Sequence, residues 1–326
     1  MSDAWRMIIR QAGGPEVIER EDIALPSPSA GQARVRHEAI GVNFIDTYHR
    51  GGLYPLSLPS GLGSEAAGIV EAVGEGVDAA LIGQRVAYVA QGPRTYATHG
   101  LEAAGRLYPL PDAISAEDAA AMLLKGLTAW MLVERVARVQ PGQSVLVHAA
   151  AGGVGSILVP WLKAIDAKVI AHTGSAAKAD RAKAAGADHA LSAPFDTLAS
   201  EVRELTGGRG VDAVLDGVGA DSWAASLASV AKRGILVTYG NASGPVPAVS
   251  PLDLLHAGSI FLTRPTMFDY LEEEADRRTA AERLFGLIAK GAIKANIGQR
   301  FALSEAADAH RALESRAITG STVLLP

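Results

Sequence analysis

The sequence predicts a two-domain α/β protein in which a doubly wound parallel-sheet domain is inserted into a mostly β domain. The chain has 326 residues, which suits two domains with separate cores better than one. Short apolar runs separated by Gly and Pro turns fill the part before Pro111, which is typical of β structure. From Ser144 onward, β runs alternate with helical stretches, the pattern of a doubly wound parallel sheet.

The β-rich first part contains apolar runs at residues 33–36 and 67–73. After it, Ser115 and Asp118 have the spacing of a capping box, and an Ala-rich helix is expected to run from there toward Trp130. We interpret this helix as the bridge between the two domains.

The second part contains five apolar runs that predict strands, and a weaker one whose assignment is ambiguous. The five lie at residues 145–149, 169–172, 211–215, 235–239 and 260–263, and the weak one at 189–191. Near the end, helices are expected around 282–290 and 304–314 and a strand at 321–325. We expect these last elements to rejoin the first domain, so that residues 1–125 and 266–326 form the β-rich domain and residues 126–265 the parallel-sheet domain.

Composition excludes several classes of function. The chain has no cysteine, which removes disulfides, thiolate nucleophiles, Cys-bound zinc and Cys-ligated iron–sulfur clusters. A net charge of -5 without a long basic run gives no electrostatic footprint for nucleic acid or anionic lipid. The first 14 residues lack the apolar stretch of a signal peptide and no run is long enough for a membrane span, so a cytoplasmic protein is expected.

The most informative motif is an apolar strand that runs into a turn of small residues, VLVHAAAGGVG at residues 145–155. Its spacing, with Ala149 followed by Gly152 and Gly155, is a variant of the dinucleotide fingerprint. Gly152 lets the backbone approach a pyrophosphate, Gly155 lets the helix pack against the strand, and Gly153 and Val154 lie between them. The helix N-terminus then offers N–H groups to the anion. A tight β-α turn without a ligand is the alternative interpretation.

The end of the second strand of this domain bears on which dinucleotide is bound. An NAD site usually places Asp or Glu about 20 residues after the first glycine, but here the chain reads HTGSAAK at residues 172–178. Gly174 and Ser175 leave room and a hydrogen-bond donor, and the charge of Lys178 favours a 2′-phosphate. NADPH is therefore the predicted cofactor, unless Lys178 is an ordinary solvated lysine.

Seven segments together resemble the zinc-free quinone oxidoreductases of the medium-chain dehydrogenase/reductase superfamily, the group that includes zeta-crystallin. They are GGPEV at 13–17, GVNFIDTY at 41–48, GLGSEAAG at 61–68, LKGLT at 124–128, YGN at 239–241, TRP at 263–265 and ESRA at 314–317. The resemblance covers essentially the whole chain. It implies a GroES-like, mostly β catalytic domain with an inserted Rossmann domain.

The resemblance also implies roles for individual residues. Five of them would line the nicotinamide and substrate cleft: Asn43, Phe44, Ile45, Asp46 and Tyr48. The residues near the cofactor, or closing around it, would include Thr128, Tyr239, Gly240, Asn241, Thr263, Arg264 and Arg316. Where similar proteins place a tyrosine beside the 2′-phosphate, this chain has Ala193, which weakens the expected selectivity for NADPH.

Zinc alcohol dehydrogenases of the same superfamily need a Cys in the stretch corresponding to residues 41–46 and a His before the next Glu. This chain has Ser64 before Glu65 and no Cys. Its histidines, such as His37, His49 and His148, lack metal-ligand spacing. No metal is therefore expected.

Without a metal, hydride transfer to a quinone is easier to catalyse than hydride transfer from an alcohol. The reduced quinone is a phenolate whose conjugate acid has a pKa of roughly 10, near that of tyrosine, whereas an alkoxide needs a Lewis acid. Tyr48 and Asn43 are the candidates for hydrogen bonds to the acceptor oxygen, and Tyr48 could donate a proton. Each has a purely structural alternative.

Two other functions remain open from the sequence. An NADPH-dependent enone or alkenal reductase would share fold and cofactor, and a non-catalytic structural or RNA-binding protein would belong to a different class. The apolar segment 259–263 is expected to end the parallel sheet, where pairing of two such edges would make a homodimer.

Overall fold

A computed structural model of the chain describes residues 4–315 and 320–326. The chain forms two compact units, the first made of Met1–Lys125 and Ala295–Pro326 and the second of Gly126–Lys294. Each has its own buried apolar cluster. The expected plan of a β-rich domain interrupted by a parallel-sheet domain is therefore present.

The first unit is built on two sheets. Its seven-stranded sheet has the order β15-β16-β3-β5-β6-β8, with β7 also paired to β3, and its three-stranded sheet has the order β2-β1-β4. All pairs are antiparallel except β15 with β16. The strands are β1 (Trp5–Ile9), β2 (Ile18–Asp22), β3 (Gln32–Val42), β4 (Ser60–Gly61), β5 (Glu65–Val73), β6 (Arg85–Val89), β7 (His99–Ala103), β8 (Tyr108–Pro109), β15 (Ile297–Ala302) and β16 (Ser321–Leu325).

Two helices of the first unit accompany these sheets. They are α1 (Phe44–Gly51), which follows β3 directly, and α10 (Ala306–Glu314). Helix α10 contributes Ala306 and Ala309 to the same buried cluster as β-strand residues such as Ile40 and Tyr88. Helix α1 is therefore held at the end of the longest strand, and α10 is packed into the core of the unit.

Helix α2 (Ala116–Trp130) continues from the first unit into the second. One half of the predicted capping box is present, since the Asp118 N–H donates to Ser115 Oγ at 3.0 Å. The Asp118 carboxylate accepts from the Ser115 hydroxyl at 2.8 Å instead of from the Ser115 N–H. A π-helical turn, Met131–Val136, extends the helix.

The second unit contains a six-stranded, fully parallel sheet in the order β11-β10-β9-β12-β13-β14. This is the strand order of a Rossmann sheet, and it confirms the predicted doubly wound architecture. The strands are β9 (Ser144–Val147), β10 (Lys168–His172), β11 (His189–Leu191), β12 (Val211–Asp216), β13 (Val230–Thr238) and β14 (Phe261–Thr263). The ambiguous run 189–191 is thus a strand.

Seven further helices belong to the second unit. They are α3 (Gly155–Ala164), α4 (Ala176–Ala184), α5 (Phe195–Leu205), α6 (Trp223–Ser229), α7 (Pro251–His256), α8 (Met267–Tyr270) and α9 (Glu274–Ala289). Across the described ranges, the structure has no helix with both the length and the apolar character that crossing a membrane requires.

The boundary after the parallel sheet differs from the expectation. Residues 266–294 were expected to rejoin the β-rich domain, but they group with the second unit. The reason is that α9 packs on the start of that unit: Leu284 of α9 lies against Gly126, and Arg283 forms an ion pair with Glu134 at 2.8 Å. The chain returns to the first unit only after Lys294.

Candidate active site

The glycine motif lies at the carboxyl end of β9, on the side of the sheet where the strand order reverses. Ligands of open α/β sheets bind outside the carboxyl ends of the strands at such a point. The strand ends at Val147, two residues earlier than expected, because Ala149 adopts a positive φ of 49°. This conformation turns the chain sharply toward helix α3.

Gly155 is required by the close approach of α3 to this turn. A Cβ at Gly155 would lie 2.3 Å from the Ala149 carbonyl oxygen, and one at Gly152 would lie 3.0 Å from the same atom. The turn is further held by the Ala150 N–H, which donates to the His172 carbonyl at 3.0 Å. Helix α3 begins directly after Gly153 and Val154, so its N-terminus lies at this loop. The loop therefore fits the pyrophosphate of a dinucleotide.

The carboxyl end of β10 carries the residues predicted to select the cofactor. Ser175 is the N-cap of α4, and its hydroxyl accepts from the Lys178 N–H. Gly174 and Ser175 are exposed, Lys178 is half-buried, and a Cβ at Gly174 would have no atom within 4 Å. Open space, a hydroxyl and a lysine at one helix N-terminus suit a phosphate group.

The remaining predicted residues of the second unit lie near the carboxyl ends of β13 and β14. The Tyr239 N–H donates to the Asp216 carbonyl at 2.8 Å, and a Cβ at Gly240 would lie 2.3 Å from the Gly217 carbonyl oxygen. Arg264 follows Thr263 of β14 and donates to the Thr238 carbonyl at 3.2 Å. Asn241 continues the turn after Gly240 and is half-buried. These residues thus stand at the same edge of the sheet as the glycine motif.

Thr128 belongs to α2 within the second unit. Its hydroxyl donates to the sulfur of Met267 at 3.8 Å.

In the first unit, the predicted catalytic residues surround the start of α1. Asn43 is 6% exposed, and its side-chain amide donates to Glu65 Oε1 at 2.8 Å. Glu65 also accepts from the Leu124 N–H at 2.6 Å and pairs with Lys125 at 3.3 Å. Glu65 therefore orients Asn43, a role that sequence reasoning missed because the two residues are far apart along the chain.

Asp46 is fully buried and its carboxylate is surrounded by donors. It accepts from the Asn43 N–H at 2.8 Å, from Ser64 Oγ at 2.6 Å and from Tyr96 Oη at 3.1 Å. Burial raises the pKa of Asp46 to about 6, and the three hydrogen bonds oppose this effect. In this arrangement Asp46 caps α1 and positions Asn43, while contact of its own carboxylate with a cofactor stays a prediction.

The network continues from Tyr96 to helix α10. Arg50 donates to His310 Nδ1 at 3.0 Å and forms an ion pair with Glu314 at 2.6 Å. Because Arg50 has no acceptor, it fixes the His310 tautomer with hydrogen on Nε2, which then donates to Tyr96 Oη at 3.0 Å. Burial lowers the pKa of His310 to about 3, so the ring is neutral in this chain of contacts.

Tyr48 lies on α1 among aromatic rings. Its centroid is 6.5 Å from that of Phe44 and 5.4 Å from that of Tyr54, the latter edge-on. The Tyr54 N–H also donates to the Tyr48 carbonyl at 3.2 Å. Tyr54 was not predicted to belong to the site. Its position six residues after Tyr48, in an apolar loop, could have indicated that the two rings lie close together. Phe44 and Ile45 are half-buried.

The structure thus gathers the predicted residues into one cluster in each unit. In the first unit, Asn43, Asp46 and Tyr48 lie at the start of α1. In the second unit, the segments 145–155, 172–178 and 239–241 lie at the same edge of the parallel sheet. Arg316 lies outside the described residues, and its expected role stays a prediction.

Two family models match the chain. One described as "Alcohol dehydrogenase GroES-like domain" matches residues 29–107, and one described as "Zinc-binding dehydrogenase" matches residues 153–285. They fall on the first and second units, respectively.

The residues present do not fit the metal named in the second description. No group of three or more His, Asp or Glu side chains in residues 4–315 and 320–326 is placed to hold a metal ion. Ser64, in the position where zinc enzymes were expected to carry a His, donates its hydroxyl to Asp46. A hydroxyl engaged in this way is a poor zinc ligand.

Full-length relatives share this architecture. "Quinone oxidoreductase" of Salmonella typhimurium is 45% identical and the match covers 99% of this chain and 100% of that protein. "2-haloacrylate reductase" of Burkholderia sp is 38% identical, with 98% of both chains covered. The crystal structure of Escherichia coli quinone oxidoreductase complexed with NADPH is 42% identical, with 99% and 100% coverage and a TM-score of 0.96. The chain therefore belongs to the quinone oxidoreductase family of the medium-chain dehydrogenase/reductase superfamily.

Proposed function

We propose that this protein is an NADPH-dependent quinone oxidoreductase that transfers a hydride to a quinone without a metal. The observation that carries the proposal is the dinucleotide loop at the strand-order reversal, where a Cβ at position 155 would lie 2.3 Å from the Ala149 carbonyl oxygen, so that only glycine fits. The family membership and the NADPH complex of a relative with TM-score 0.96 support it.

The second unit provides the binding surface for the cofactor. The small residues Gly152 and Gly155 would let the pyrophosphate approach the N-terminus of α3, and Ser175 with Lys178 would hold the 2′-phosphate. NADPH, when bound, supplies the hydride. No acidic side chain stands in the 172–178 segment to repel the phosphate.

The first unit provides the groups for the acceptor. Asn43 is oriented by Glu65, and Tyr48 is held between Phe44 and Tyr54. These aromatic rings form an apolar surface suited to a flat acceptor, and the Tyr48 hydroxyl would donate a hydrogen bond to the developing phenolate. The acceptor's own aromatisation stabilises the charge, so alignment is the main contribution of the protein.

An enone reductase is the second candidate, because a relative with 38% identity is named 2-haloacrylate reductase. In that reaction the hydride goes to the β-carbon of an activated double bond, and a proton must reach the α-carbon. The first unit has the same Tyr48 hydroxyl for both reactions, so geometry alone favours neither.

Steady-state NADPH oxidation distinguishes these candidates. We expect turnover with 1,4-benzoquinone and with larger ortho-quinones, and slower turnover with simple enones. Faster turnover with enones would favour the second candidate. NADPH binding without turnover of either class would favour a binding protein.

We also propose a homodimer formed through β14. This strand ends the sheet of the second unit, and its Phe261 is 65% exposed. Leu252 and Leu255 of the preceding helix α7 are 60% and 57% exposed. Antiparallel pairing of two β14 edges would cover their backbone groups and these side chains.

Sedimentation of the wild type and two variants tests the dimer. Phe261→Lys should shift the equilibrium toward monomer, whereas Leu205→Lys, at a side chain 39% exposed on α5, should not. A wild-type protein that stays monomeric at micromolar concentration would contradict the proposal.

A further inference from the structure

Two buried histidines lie where the two phosphate-binding loops leave the sheet. His148 directly follows β9 and is fully buried, and His172 ends β10 and is 5% exposed. Their Nδ1 atoms are 3.1 Å apart. Neither residue has a part in the hydride transfer described above.

The pair belongs to a row of contacts that ends on a carboxylate and on a backbone carbonyl. Asp216 Oδ2 is 2.6 Å from Ser226 Oγ, and Ser226 Oγ is 2.9 Å from His148 Nε2. On the other side, His172 Nε2 is 3.0 Å from the Ala193 carbonyl oxygen. With the contact between the two rings, the row contains four hydrogen-bond contacts.

Counting hydrogens shows that this row needs one more proton than its neutral groups provide. Each of the four contacts requires one hydrogen. The Ser226 hydroxyl and two neutral imidazoles have three in total, and neither a carboxylate nor a carbonyl has any. With both rings neutral and Asp216 ionised, one contact would place two lone pairs against each other, which is costly in a buried site.

The neighbours of Asp216 are hydrogen-bond donors from the segment that follows β12. Asp216 Oδ1 accepts from the Val218 N–H at 2.8 Å and from the Gly219 N–H at 3.3 Å. The Ser222 hydroxyl is 2.7 Å from Oδ2 and 3.1 Å from the Gly219 carbonyl oxygen. The carboxylate acts as the acceptor in each of its contacts.

The other groups around the rings act in both directions. Burial is the largest effect and lowers the pKa of both histidines overall. At His172 the Ala193 carbonyl and the charges of Asp216 and Glu201 oppose it, and at His148 the charge of Asp216 opposes it while His172 adds to the lowering. The Phe195 ring packs 5.9 Å and 5.0 Å from the two imidazole centroids. Burial disfavours a charged ring, but an imidazolium paired with Asp216 leaves the row neutral as a whole.

We propose that His148 and His172 share one proton beyond their neutral forms, and that this proton holds the two phosphate-binding loops in register. The backbone already links the same two segments through the Ala150 N–H and the His172 carbonyl. Loss of the proton would break a second link between them and leave the charge of Asp216 uncompensated beneath the anion site. The part of the proposal that concerns the loops rests on the proposed NADPH binding.

NMR of ¹⁵N-labelled protein measures the proton directly, without cofactor. At neutral pH we expect an imidazole of the pair to have hydrogen on both ring nitrogens. This signal should be absent from His172→Gln, because an amide offers two hydrogens without charge. It should persist in His189→Gln, which changes an exposed histidine on β11. Two neutral rings in the wild type at neutral pH would overturn the proposal.

NADPH affinity measured over the same pH range tests the effect on the loops. Above about pH 7 the charge of the 2′-phosphate is constant, since its second pKa is about 6. The dissociation constant should stay constant while the imidazolium signal persists and rise about tenfold where it disappears, as expected for one charged hydrogen bond. His189→Gln should follow the wild type and His172→Gln should show no such step.

The two measurements separate the possible failures. A dissociation constant that does not follow the NMR signal would overturn the proposed link between the proton and the loops. Absence of NADPH binding at every pH would instead contradict the proposed function, while the NMR result would still decide where the proton is. Thermal unfolding of His172→Gln checks that the variant is folded.

Discussion

Replacing Gly155 by Ala should damage both the stability and the activity of this protein. The new methyl would lie 2.3 Å from the Ala149 carbonyl oxygen and 2.7 Å from Ala150 Cα, about 1 Å inside normal contact. Such overpacking costs about 1–3 kcal/mol, and the better helix propensity of Ala returns at most about 1 kcal/mol. We expect a net loss of up to about 3 kcal/mol in the free energy of unfolding.

Activity should fall further than stability, because the displacement affects the loop that would hold the pyrophosphate. A shift of about 1 Å costs on the order of 100-fold in kcat/KM, measured with NADPH and 1,4-benzoquinone. Gly286→Ala is the matched control, since Gly286 lies within α9 and its Cβ would have no atom within 4 Å. If Gly155→Ala had the same free energy of unfolding and the same kcat/KM as the wild type, the assignment of this turn to pyrophosphate binding would be refuted.

Three further predictions concern other residues. Lys178→Glu should raise the KM for NADPH at least about tenfold more than that for NADH, whereas Lys168→Glu, at the opposite end of β10, should not; equal effects on both cofactors would contradict the 2′-phosphate site. Because burial raises the pKa of Asp46 to about 6, its folded carboxyl keeps a proton that the unfolded chain loses near pH 4. The wild type should therefore lose up to about 3 kcal/mol of stability relative to Asp46→Asn as the pH rises from about 4 to above 6, and a pH-independent difference in unfolding free energy would contradict this. Tyr48→Phe should lower kcat about fivefold through the lost hydrogen bond with an unchanged KM for NADPH, and equal losses in Tyr54→Phe would indicate a packing role.

Much of the fold was predictable because it depends on local patterns. The alternation of apolar and helical segments indicated the parallel sheet, and the Ser115 and Asp118 spacing gave the start of α2. The boundary at Lys294 was not predictable. It depends on the packing of Leu284 against Gly126, two residues far apart in the chain. The helical pattern of residues 282–290 does not indicate which segment this helix packs against.

In the candidate site, too, local patterns were predictable from the sequence and contacts between distant residues were not. The glycine motif and the missing acid after β10 could be read from the sequence, because both follow from fixed spacing along the chain. The sequence did not indicate that Glu65 orients Asn43 or that His148 meets His172. These contacts join the ends of different strands, so they exist only once the sheets have formed.

The most direct test of the central claim is NADPH oxidation by 1,4-benzoquinone with protein that has been exhaustively dialysed against a chelator. The glycine loop, the Ser175 and Lys178 segment and the engagement of Ser64 with Asp46 predict full turnover in this preparation and no increase when zinc is added. Failure to oxidise NADPH, or activity that depends on added zinc, would contradict the account.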